Sequence, residues 1–202
     1  MLKKISLLTL LTLGSLSAND GVKPIFQVGY DWGGTTLATI HHDYESDYKI
    51  RAGDGLDLEI GAAVGNPNLE LQFLVGYKFD TDSASNGDVT WSTIPLTAIG
   101  MYKRNQWKFG GGVTYHLNPT LSGSFSGYER GEYFNDTVDD EYENSVGAVA
   151  QIQYQASESF DIGIKGTFIE YKLKNDNTQI AEGNSIGIVM TYTLGNERST
   201  FR

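Results

Sequence analysis

The chain has 202 residues, a formal net charge of −10 and no cysteine. The missing thiol excludes a lipoprotein anchor, thiol catalysis, a thiolate metal site and a disulfide framework. The acidic excess argues against nucleic acid and against a direct electrostatic hold on anionic lipid surfaces.

Residues 1–18 read as a secretory signal peptide. Lys3 and Lys4 form a basic start, Ile5 to Leu13 an apolar run, and Gly14 to Ala18 a small-residue cleavage zone. The run is far shorter than the roughly 20 residues of a spanning helix, and cleavage is expected after Ala18. Loss of Lys3 and Lys4 takes the net charge from −10 to −12. Residues 19–202 are then enough for one domain.

Along that domain, apolar and polar residues alternate in eight segments, the period of a strand with two unlike faces. The first turns Phe26, Val28, Tyr30 and Trp32 to one side, with Gln27, Gly29 and Asp31 on the other. The second sets Leu56, Leu58, Ile60, Ala62 and Val64 against Gly55, Asp57, Glu59 and Gly61. The third sets Leu69, Leu71, Phe73, Val75, Tyr77 and Phe79 against Glu70, Gln72, Leu74, Gly76 and Lys78. In the fourth, Ile94, Leu96, Ala98, Gly100 and Tyr102 oppose Pro95, Ile99 and Met101. Proline lacks a ladder donor, so a bulge or broken ladder is expected near Pro95.

The fifth segment sets Trp107, Phe109, Gly111, Val113, Tyr115 and Leu117 against Lys108, Gly110, Gly112, Thr114 and His116. The sixth sets Val146, Ala148, Ala150, Ile152 and Tyr154 against Gly147, Val149 and Gln151, Gln153 and Gln155. The seventh sets Phe160, Ile162, Ile164 and Phe168 against Asp161, Gly163, Lys165 and Thr167. The eighth sets Ile186, Ile188, Met190, Tyr192 and Leu194 against Gly187, Val189, Thr191 and Thr193.

The joints alternate too. Short turns fall at 65–68, 103–106 and 157–159, and long connections at roughly 38–49, 80–88, 118–145 and 174–184. Short turns at one end and long loops at the other predict an eight-stranded antiparallel up-and-down transmembrane β-barrel in a bacterial outer membrane. No charge falls on the predicted lipid face. Aromatics divide into an inner rim (Phe26, Tyr102, Trp107, Tyr154, Phe160, Tyr192) and an outer rim (Trp32, Tyr77, Phe79, Trp91, Tyr115, Phe168), as two membrane girdles require.

The last strand resembles the assembly signal of bacterial outer-membrane proteins. Ser185, Gly187, Met190 and Tyr192 hold its polar, glycine and two apolar positions, although the chain continues past this strand to Phe201-Arg202. The resemblance implies that the barrel-assembly machinery reads this strand. By architecture, the chain resembles the small eight-stranded barrels of the OmpA, OmpX and OmpW type. That resemblance fixes the expected fold and not the activity.

Candidate chemistry lies inside the predicted lumen, where Asp31, Arg51, Asp57, Glu59, Glu70, Lys78, Lys108, His116, Asp161 and Lys165 gather. An eight-stranded barrel has room for little beyond its own side chains, so these charges are expected to pair as a plug. A narrow channel gated by the same charges is the alternative. The lipid A deacylases carry His-x-Ser-Asn, whereas this chain has His116-Leu117-Asn118. His41 or His42 with Asp82 and Ser83 imitates the outer-membrane palmitoyltransferases only in composition, so an enzyme is not expected. A soluble ligand-binding barrel survives only if the apolar face is a core.

The connections are acidic. Glu129, Glu132, Asp136, Asp139, Asp140, Glu141 and Glu143 face one base, Arg130, in the third, and Tyr128, Tyr133, Phe134 and Tyr142 share that stretch. Asp43, Glu45 and Asp47 occupy the first connection, and Asp80, Asp82 and Asp88 the second. Their spacing is not that of a calcium-hand loop. No metal site and no cofactor is read here. Loosely held divalent cations, outer-membrane lipid and lipopolysaccharide are the expected partners, with a structural or surface-recognition role.

Overall fold

The computed structural model describes residues 22–40, 48–84, 87–129 and 132–194. Its strands are β1 (Val22–Gly33), β2 (Thr36–Ile40), β3 (Tyr48–Arg51), β4 (Gly55–Gly65), β5 (Leu69–Ala84), β6 (Gly87–Arg104) and β7 (Trp107–Glu129). They continue as β8 (Glu132–Glu141), β9 (Ser145–Gln155), β10 (Phe160–Phe168), β11 (Glu170–Leu173), β12 (Asp176–Glu182) and β13 (Ser185–Thr193).

Strands β1, β4, β5, β6, β7, β9, β10 and β13 pair antiparallel in that order, and β13 returns to β1 from Ile25↔Thr193 to Gly33↔Ser185. The ring therefore closes with no free edge along the wall. Alternation sets the two faces. In β13 every inward residue from Ser185 to Thr193 is buried and every outward one exposed. The outward residues form an apolar belt and the inward ones are mostly polar, the inverse of a water-soluble barrel. Phe26, Tyr192 and Phe160 lie side by side in register on the inner rim.

The long connections are not loops in the main. The β5–β6 ladder runs on from Leu69↔Tyr102 to Ala84↔Gly87, and β7 pairs β8 from Thr120↔Glu141 to Glu129↔Glu132. Two further hairpins, β2–β3 and β11–β12, complete this end. Paired backbone needs no apolar belt, so polar sequence that reads as loop extends the wall beyond the membrane as sheet.

The ladder breaks near Pro95, as the missing donor requires. Pairing of β5 with β6 passes from Val75↔Leu96 to Lys78↔Thr93, omitting Pro95. Across the other edge of β6 the register shifts between Ser92 and Ile94, where β7 advances from Leu117 to Thr120. Asn118 takes φ 48° at this bulge, a left-handed conformation that asparagine tolerates. The extra residue moves the inward face of β7 from His116 to Pro119 and Leu121, whereas β6 keeps its parity throughout.

One girdle residue lies elsewhere than the sequence predicts. Trp91 sits on the inward parity of β6 and is 0% exposed, not on the outer rim. Above the belt, the barrel interior is the dry side for a tryptophan. It packs edge-to-face with Tyr142 and Tyr171, centroids 5.3 Å away in each case.

Candidate functional site

The lumen is built in layers along the barrel axis. Near the short turns, Lys108 on β7 meets Asp161 on β10 at 2.5 Å. Glu70 on β5 pairs with Lys103, at the end of β6, and accepts from Gln72 Nε2 at 2.8 Å. Lys103 was missed because the sequence reads 103–106 as a turn, whereas β6 carries the ladder through Lys103↔Lys108 on the same parity as buried Met101.

The middle layer centres on Lys165 of β10, whose ammonium pairs with Asp57 and with Glu59 Oε2 at 3.1 Å, both on β4. Asp57 and Glu59 are two residues apart, so the pleat points them the same way. Gln27 Nε2 donates to Glu59 Oε2 at 2.7 Å and Thr97 Oγ1 to Glu59 Oε1 at 3.2 Å. The chain of bonds continues across the lumen. Thr191 Oγ1 donates to Gln27 Oε1 at 3.0 Å, and Gln153 Nε2 to Thr191 Oγ1 at 2.6 Å.

In the outer layer, Lys78 Nζ donates to Asp31 Oδ2 and to Gly53 O, each at 2.7 Å. Gly187 lies directly opposite Asp31 in the β1–β13 ladder, and a Cβ there would overlap Asp31 Oδ1. The glycine of the assembly-signal pattern thus has a packing reason of its own. Among its companions, Ser185 is buried, while Met190 and Tyr192 face outward.

His116 is buried, and its Nδ1 shares a 2.7 Å hydrogen bond with the Tyr171 hydroxyl. Tyr171 hangs down from β11, and burial holds its phenol above the usual value, so the hydroxyl keeps its proton. Over this pair stands an apolar cap formed by Ile50, Val89, Trp91, Leu121, Tyr142 and Ile169 with Tyr171. Hairpins and extended strands contribute these residues one or two at a time, so no single segment displays the cap in sequence.

Arg51 does not join the lumen charges. It lies in the outer hairpin, opposite Thr36 and half-buried, because β3 pairs with β2 and not with the barrel wall. The other eight charged candidates and His116 have the partners just described. The second oxygens of Asp31 and Asp57 lack protein donors among the described residues and border a void of about 10 Å³. That is about the space of one water.

Residues 1–18, His41, His42, Asp43, Glu45, Asp47, Arg130 and Phe201-Arg202 lie outside the described residues, as do the side chains of Tyr128, Glu129, Glu132, Tyr133, Phe134 and Asp136. Of the acidic connections, Asp80, Asp82, Asp88, Asp139, Asp140, Glu141 and Glu143 are described; Glu141 pairs with Lys174 at 2.7 Å, and that ammonium holds its carboxyl below the usual value. No group of three or more potential metal ligands occurs among the described residues.

A closed ring, an apolar belt and a charged, filled interior occur together only where the outside of the barrel is lipid. The chain has the fold of the small outer-membrane β-barrels. No family model and no curated protein matches its sequence. Among solved structures it is similar to the attachment invasion locus protein Ail of Yersinia pestis, at 11% identity over 87% of this chain and 100% of that one, with a TM-score of 0.49. It is also similar to outer membrane protein H of P. aeruginosa, at 11% identity over 85% of this chain and 99% of that one, TM-score 0.45. Neisserial surface protein A matches at 12% identity over 86% and 97%, TM-score 0.44. Likenesses at this level concern the fold and not an activity.

Proposed function

We propose that this protein is an integral outer-membrane barrel that works through its outer face, in a structural or surface-recognition role, and does not conduct. The observation that supports this most strongly is the filled interior. Among the described residues, the layers around Lys78 and Lys165 leave between them a void of about 10 Å³, and the cap around Trp91 lies between these layers and the outside. Solute passage would have to separate buried charge pairs and displace a packed apolar cluster. Either step carries a cost of several kcal/mol.

A non-enzymatic reading fits the same geometry. His116 is committed to Tyr171 beneath the cap, so it faces neither lipid nor solvent as a base for acyl chemistry must. The assembly signal and the exported, outer-membrane location belong to this proposal, as do lipopolysaccharide and loosely held divalent cations as partners of the acidic hairpins.

The deciding experiment is planar-bilayer recording on refolded protein, with insertion verified by heat-modifiable gel mobility. Silence from inserted protein is the expected result. Discrete conductance steps that change in Lys78→Ala would replace this reading with that of a gated narrow channel.

A further inference from the structure

The barrel wall parts between β9 and β10 on its outer rim. The β9–β10 ladder is unbroken from Asp161↔Gln155 to Phe168↔Ala148. Ladder pairing resumes at the bridge Tyr142↔Leu173, one register out, flanked by Glu143 N donating to Lys172 O at 2.8 Å. Between these points β11 leaves the wall to pair with β12. A cleft of about 620 Å³ opens over the gap, within the range of roughly 300–1,000 Å³ found for small-ligand sites.

Its height is set by register. Val146, at the foot, is opposite Tyr115 of the outer aromatic row. The foot therefore meets the lipid headgroups and the top stands in water.

The chemistry of the cleft is specific. Asn144 Oδ1 accepts from Asn118 N at 2.8 Å, and Asn184 Oδ1 from Ile169 N at 3.0 Å. A planar carboxamide with its oxygen fixed has its NH2 fixed as well. Both side chains line the cleft, and neither NH2 has a protein acceptor among the described residues. Lys172, Glu143 and Glu170 line it too, with no side-chain ion pair among the described residues. Three donor groups and two carboxylate acceptors thus line one cleft.

Two carboxylates against one ammonium disfavour a phosphate or any other anion. Neighbouring hydroxyls fit: each can donate to a carboxylate and accept from a carboxamide or the ammonium. Beneath them Phe168 and Val146, the latter 71% exposed, continue into the lipid-facing belt. That surface suits the C–H face of a sugar ring and the chain attached to it.

We propose that this cleft is a binding site for the uncharged sugar headgroup of a membrane-embedded glycolipid, held by Asn144, Asn184, Glu143, Glu170 and Lys172 with its acyl chain on Val146 and Phe168. The proposal rests on the outer-membrane reading above and adds to it a ligand class and a location.

The test uses refolded full-length protein in phosphatidylcholine bilayers doped with either a diacyl monoglucosyl lipid or phosphatidylglycerol of the same chains. Native mass spectrometry counts retained lipid, and the side-chain NH2 resonances of Asn144 and Asn184 report occupancy. The expected result is selective retention of the glucosyl lipid with saturable shifts at both asparagines. Glu170→Ala/Lys172→Ala, at exposed positions, should weaken retention about tenfold, the worth of one or two hydrogen bonds. Equal retention of both lipids, preference for phosphatidylglycerol, or unmoved Asn144 and Asn184 resonances in inserted protein would overturn the site while leaving the barrel reading intact. Failure to insert, seen as an unshifted gel band, would overturn both. Should the double variant not fold, the lipid preference and asparagine shifts of the natural sequence decide.

Discussion

Removing the ammonium of Lys165 tests whether the lumen is held by charge pairing. Lys165, Asp57 and Glu59 have side chains only 6%, 4% and 1% exposed. At the 3.1 Å separation from Glu59 the attraction is roughly 5 kcal/mol for an effective dielectric of about 20. Asp57 adds a second, similar attraction, and desolvation of all three charges takes back much of the sum. Lys165→Met keeps most of the volume but leaves two adjacent buried carboxylates uncompensated. Loss of one partner from a buried pair costs about 3–5 kcal/mol, and the upper end is expected here. Asp57→Asn/Glu59→Gln/Lys165→Met removes the charges together, so it should recover most of that loss. Reversible urea unfolding in lipid vesicles, followed by tryptophan fluorescence and gel mobility, measures both. A loss below about 1 kcal/mol in Lys165→Met, the range of exposed pairs, would refute the reasoning, and so would a triple variant no better than the single.

Trp91→Ala should cost about 3–5 kcal/mol in the same unfolding assay, as for a large aromatic truncated in a packed core. A rim tryptophan facing lipid would lose much less. Ile164, 54% exposed on β10, should cost about 2–4 kcal/mol on change to Lys, because the charge enters hydrocarbon. A lysine at exposed Ser157, in a short turn and with no side-chain hydrogen bond among the described residues, should stay within about 0.5 kcal/mol. Gly187→Ala should destabilise by about 1–3 kcal/mol through overlap with Asp31, read as a lower urea midpoint. Asp176 accepts from Thr178 N at 3.1 Å, Thr178 Oγ1 at 2.6 Å and Gln179 Nε2 at 3.0 Å, which hold its carboxyl below the usual value. A lowered carboxyl stabilises the β11–β12 hairpin above the unfolded value of about 3.9 and ceases to do so as pH falls through the folded value. Amide-exchange protection at Thr178 should therefore be flat above pH ~4 and decline below it, and Asp176→Ala should abolish that dependence.

The sequence by itself determined the eight strands of the closed wall and which face of each turns outward. A period of two needs only local order, and it assigns each residue of β13 to lipid or lumen before any partner is known. The proline break was legible for a similar reason, since a missing donor is a property of one residue. Tertiary structure decided what depends on which strands meet. Lys165 finds Asp57 and Glu59 more than 100 residues away in the chain, a choice set by the stagger of the closed ring. Glu70 takes Lys103 and leaves Lys108 to Asp161, because β6 continues past Tyr102 and carries Lys103 on its inward parity. Trp91 reads as a girdle residue until the wall is seen to continue above the belt, where inward becomes the dry direction. The cap has no sequence signal because separate hairpins each supply a little of it. The cleft beside β9 exists because β11 pairs with β12 in preference to the wall, a competition between neighbours that alternation within one strand does not record.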